Sequence, residues 1–71
     1  MNQDAIQALE AYRQAAECTT LASAYCCLET ANVASSRLVP GRLSARHAAR
    51  LDVARLAAYQ AVATLEAARG N

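Results

Sequence analysis

Apolar side chains recur along this chain at steps of three and four residues, spacing that lines them up on one side of an α-helix. One strong interruption stands out, Val39-Pro40-Gly41. Proline fixes its own φ, biases Val39 away from the helical region, and with glycine after it gives a tight-turn signature. The pattern predicts a first helix over about 4–37, a turn over 38–43 and a second helix over about 44–69. Asn2 or Asp4 and then Ser44 are the expected N-caps, and Gly70-Asn71 the C-terminal stop. The expected fold class is all-α: a single antiparallel two-helix hairpin spanning 1–71, pairing into a dimeric four-helix bundle.

The second helix carries a heptad-like seam of His47, Leu51, Ala54, Ala58, Ala61, Leu65 and Ala68. Its counterpart on the first is Ile6, Leu9, Ala16, Thr20, Ala24, Cys27, Ala31, Ala34 and Leu38. Both seams are small in the middle, so the helices can approach toward the low end of the usual ~8–10 Å. Two features point to dimerisation. The longer first helix leaves Ile6 and Leu9 overhanging the second unless it breaks early. Each helix also carries a further apolar stripe away from the seam: Cys18, Leu21, Tyr25 and Leu28 on one, Val53, Leu56, Tyr59 and Ala63 on the other. The expected dimer or partner interface is therefore Leu21, Tyr25, Leu28, Val53, Leu56, Tyr59, Ile6 and Leu9.

Composition sharpens this picture. Of 71 residues 55% are hydrophobic, yet 19 are alanine and only 13 are Ile, Leu or Val, so a large core is out of reach and a partner becomes more valuable. The longest stretches free of charge, Cys18–Leu28 and Leu56–Leu65, are too short for a bilayer span of ~20 residues. Acidic Asp4 and Glu10 precede the first basic residue, Arg13, the reverse of a secretory or transit leader, so a cytoplasmic location and no membrane partner are expected. The three cysteines are unpaired in number and two are adjacent, which argues for reduced thiols rather than a disulfide framework. All seven basic residues are arginine; with the alanine content, this has the look of a GC-rich bacterial or phage genome.

Charge is divided unevenly between the halves. Residues 1–36 carry four acids against Arg13, whereas residues 37–71 carry six arginines against Asp52 and Glu66. Arg37, Arg42, Arg46 and Arg50 gather near the turn as a basic tip, with Arg46 and Arg50 one helical turn apart. Arginine's planar fork suits carboxylate or phosphate. A nucleic-acid partner is the weaker reading, because the net charge is only +1 and no aromatic residue interleaves with the arginines. Cys18, Cys26, Cys27 and His47 do not converge at metal-ligand spacing, so no metal is expected and the thiols read as small buried hydrophobes. One histidine and three tyrosines on two helices offer neither a nucleophile–base pair nor a pocket; no catalytic residue, cofactor or small-molecule substrate is expected, and Tyr12, Tyr25 and Tyr59 read as half-buried anchors with the hydroxyl at the rim.

The architecture resembles the dimeric helical hairpins of the ROP type in shape, without a residue-by-residue motif and hence without an implied function. The reading is a small non-enzymatic protein–protein interaction module, a homodimeric regulator or inhibitor of the phage or plasmid kind. Its partners would be itself and an unidentified protein, and the alternative is a nucleic-acid-binding dimer that uses the arginine tip.

Overall fold

The computed structural model describes residues 2–39 and 41–69, and these form three α-helices: α1 (Gln3–Glu17), α2 (Leu21–Ser36) and α3 (Ala45–Arg69). The first expected helix is thus two. Cys18 and Thr20 are extended, and the Thr20 hydroxyl accepts a hydrogen bond from the Ser23 N–H at 3.3 Å, capping α2. β-Branched threonines lose side-chain freedom inside a helix, and Thr20 gains a backbone partner by leaving it. The larger gain is tertiary. Once α1 folds back, its apolar side is buried, and Leu9 no longer overhangs anything.

The other boundaries follow the expected chemistry. Asn2 accepts from the Ala5 N–H at 2.8 Å and Ser44 from the His47 N–H at 3.2 Å, opening α1 and α3. Between α2 and α3 the Arg42 N–H donates to the Val39 carbonyl at 3.1 Å, and Gly41 sits at φ 85°, a conformation costly for any side chain. Pro40, expected to set this turn, and the expected stop Gly70-Asn71 lie outside the described residues. None of the three helices is long and apolar enough to cross a membrane.

The bundle measures 43 × 18 × 15 Å, with α1 packed against both other helices and α2 and α3 touching each other less. Nine of the fourteen buried residues among those described are alanine, so the helices lie close and each large core side chain matters more. The expected seams hold in the middle of α2 and α3, where Ala24, Ala31, Ala34, Leu51, Ala54 and Ala58 are buried, while Cys27, Leu38, His47, Ala61 and Leu65 are half-buried and Ala68 is exposed. On α1 only Leu9 of the expected seam is buried. A seam phased continuously through the break puts Ile6 inward, whereas α1 has its own phase and buries Ala5, Ala8, Leu9, Ala11, Tyr12 and Ala15.

Tyr12 is the centre of the fold. It is 1% exposed, the largest fully buried side chain, and its hydroxyl is the hub of a polar network joining all three helices. The hydroxyl donates to Asn32 Oδ1 of α2 and accepts from Arg55 Nε of α3 at 3.3 Å. Arg55 also lies over the Tyr12 ring, 5.4 Å from its centroid, and donates to Ser35 Oγ and Asp52 Oδ1, each at 2.9 Å. Asn32 passes the network on by donating to the Tyr59 hydroxyl at 3.1 Å. The Tyr12 hydrogen bond holds the Arg55 guanidinium more firmly protonated than usual, against the opposing effect of burial. The expectation that Tyr12 sits half-buried with its hydroxyl at the rim is therefore corrected.

Candidate interaction surface

Three side-chain rungs set α2 and α3 side by side. Tyr25 donates to Glu66 Oε2 at 2.7 Å, Asn32 to Tyr59 and Arg55 to Ser35, so the two helices run antiparallel with polar groups rather than apolar ones between their outer edges. The hydrogen bond to the Glu66 carboxylate favours the neutral phenol and raises the pKa of Tyr25, with smaller contributions from burial and the carboxylate charge. A pair held this way presents an open face on the side away from α1.

The residues on that face are apolar to an unusual degree. Val53 is 70% exposed, Leu56 60%, and Tyr25 and Tyr59 45% each. Along α3, Val53 and Leu56 belong to a stripe of Ala49, Val53, Leu56, Gln60, Ala63 and Ala67, all exposed, at steps of four and three, with Tyr59 to one side of it toward α2. The inner seam, Leu51, Ala54, Ala58, Ala61 and Leu65, has the same alternation half a turn away. α3 thus has two heptad seams on opposite sides, one covered by its own chain.

The other expected interface residues are distributed differently. Leu9 and Leu28 are both 7% exposed and belong to the chain's own core, because α1, which carries Leu9, folds back onto α2 and α3; they are not available to a partner. Leu21 is half-buried against the core edge. Ile6 is 39% exposed but stands apart, followed on the outward side of α1 by Glu10, Arg13 and Glu17. Arg55 and Asn32, which organise the face from beneath, have no distinguishing signal in the sequence beyond being polar residues next to buried ones.

At the turn end Arg37, Arg42, Arg46 and Arg50 are all exposed. The one ion pair among the described residues joins Arg55 to Asp52, so none of these four is paired with an acid among the described residues. Cys18, Cys26 and Cys27 are free thiols; Cys26 is exposed, contrary to its expected burial, and Cys18 donates to the Gln14 carbonyl at 3.2 Å. Burial chiefly, helped by the neighbouring Cys18 thiol, pushes the Cys27 thiol up. No group of three His, Cys, Asp or Glu side chains placed to hold a metal ion occurs among the described residues. The concavities are open grooves, such as one of about 370 Å³ lined by Leu21, Tyr25, Glu66 and Arg69. No protein family, curated protein or solved structure matches the chain.

Proposed function

We propose that the chain is a non-enzymatic protein–protein interaction module, a homodimeric regulator or inhibitor that acts by occupying a protein partner. One observation carries this reading: Val53 and Leu56 stand 70% and 60% exposed on a helix whose other side is already packed. Apolar side chains scattered singly need no explanation, but a seam aligned with two half-exposed tyrosines is the composition of an interface core. In a dimer built on it, α2 and α3 of each copy form a four-helix layer with α1 outside. Affinity capture from host lysate with wild-type bait and with a Val53→Arg, Leu56→Arg bait tests the module. A protein retained by the first and lost by the second supports it, and identical eluates sink it.

A second reading rests on the four exposed arginines at the turn end, which suit a polyanion. It predicts nucleic-acid retention whose log–log salt slope shrinks by about 2 in an Arg46→Ala, Arg50→Ala variant. The first reading is preferred because no aromatic side chain accompanies those arginines.

A further inference from the structure

We infer that Cys18 and Cys27 are a paired dithiol, which a low-molecular-weight disulfide such as oxidised glutathione closes into an intrachain bond that pins the α1–α2 corner.

The packing of α1 on α2 brings the two thiols together. On α1 the buried stripe Ala8, Ala11 and Ala15 steps by three and four, and the next step of three reaches Cys18 at the C-cap. On α2 the buried stripe Ala24, Ala31 and Ala34 takes in Cys27 at the same alternation of three and four. Both cysteines are half-buried against one core cluster, which these alanines share. Alanine on both stripes lets the two backbones come close, as a disulfide requires. The Cys18 thiol is near enough to Cys27 to strengthen that thiol's hold on its proton. Cys26 is the contrast. It follows Cys27's neighbour in sequence but lies ~100° away around the helix and is exposed.

The bond belongs to the bent chain. Cys18 and Cys27 are nine positions apart, which in one continuous helix is ~13.5 Å of rise, whereas a disulfide needs its Cα atoms within ~7 Å. Between a straight helix and the corner at Thr19 and Thr20, only the corner meets that limit, so closing the bond selects the folded-back α1. α1 carries Tyr12, and the bond therefore also holds the hub of the polar network in place.

The exchange balances. Cys18 loses its proton and attacks one sulfur of oxidised glutathione, forming a mixed disulfide and releasing one glutathione thiolate. Cys27 then loses its proton and attacks the Cys18 sulfur, releasing the second. The chain gives up two electrons and two protons, and the oxidant leaves as two molecules of reduced glutathione. Where reduced glutathione prevails the pair stays a dithiol.

The test equilibrates the full chain with mixtures of reduced and oxidised glutathione, in native buffer and in concentrated urea, and then blocks free thiols with iodoacetamide. Native wild-type chains should take up one carbamidomethyl group, located on Cys26 by fragmentation. At a given glutathione ratio the oxidised-to-reduced ratio should be at least ~10-fold higher in native buffer than in urea, because the fold and not mere nearness in sequence joins the pair. In a Cys26→Ala chain, whose change is at an exposed site, the oxidised form should melt ~5 °C or more above the reduced form. Adding Cys27→Ala should abolish both the bond and the difference. A block on Cys27 in place of Cys26, or equal oxidation in native buffer and urea, overturns the pairing. An oxidised Cys26→Ala chain that melts no higher than the reduced one overturns the pinning of the corner.

Discussion

The outward sides of α1 and α3 are built on the same spacing with opposite chemistry. On α1, Ile6, Glu10, Arg13 and Glu17 step outward by four, three and four, and three of the four are charged. On α3, Arg46, Ala49, Val53, Leu56, Gln60, Ala63 and Ala67 step by three and four, and only Arg46, at the N-terminal end, is charged. α1 is therefore a finished surface helix, with one side for the core and one for water. α3 has two sides suited to packing and only one of them packed. Burial alone would not require this, since a polar outer stripe would solubilise α3 without disturbing Leu51, Ala54 or Ala58.

The strongest way to test the division of labour is to remove what α1 contributes to the core. Tyr12→Ala deletes the largest buried side chain and the hub linking Asn32 and Arg55, at an expected ~3–5 kcal/mol. In a chain this small that is comparable with the whole stability, so thermal melting should show a largely unfolded protein at 25 °C. Tyr12→Phe should retain the fold at a loss of about 1–2 kcal/mol, the difference isolating the hydroxyl. A cooperative, near-wild-type melt for Tyr12→Ala would mean α1 is not integral to the bundle.

The two sides of α3 can be set against each other with the same substitution. Leu51 is 5% exposed and Leu56 60%. Leu51→Ala should lower stability by about 2–3 kcal/mol in chemical denaturation. Leu56→Ala, measured at concentrations where the chain is monomeric, should stay within about 0.5 kcal/mol of wild type. Equal losses from the two would show that the outer seam is packed within the chain after all.

The turn between α2 and α3, the Ser44 cap and the phase of both neighbouring helices are local matters, fixed by glycine, serine and the apolar spacing. The break after Glu17 was not legible, because two threonines and a cysteine are a weak stop that tertiary packing decides. That one miss carried the others with it. A seam run straight through the break placed Ile6 inward, left Tyr12 at the rim, and gave Leu9 and Leu28 to a partner instead of to the folded-back α1. The exposed pair Val53 and Leu56 was readable because α3 is unbroken. Arg55 was not, since its role depends on Tyr12 and Ser35 arriving from two other helices.

The break itself is open to a smaller test. Thr20→Ala removes the hydroxyl that accepts from the Ser23 N–H and should cost about 1 kcal/mol. It also favours helix across residues 18–20, so added helical signal would show the α1–α2 corner competing with a straight helix.

The smallest effect concerns the rung that holds the far end of α2 to α3. Tyr25 donates its hydroxyl proton to Glu66, and this hydrogen bond, more than burial, raises its pKa above the ordinary 10.0. The rung needs the neutral phenol, so its contribution is complete below pH 10 and is lost as pH climbs through the raised folded value. Tyr25 should therefore titrate above pH 10, with the α2/α3 end loosening over the same interval, as followed by the Tyr25 ring resonances and by amide exchange around Glu66. Glu66→Gln removes the carboxylate that both accepts the proton and repels the phenolate, and it should bring the Tyr25 midpoint down toward 10. An unmoved midpoint would show that the rung is not populated in solution, leaving α2 and α3 joined only through Asn32, Ser35 and Arg55. The outer face would then be free to widen at that end, where Ala63 and Ala67 lie.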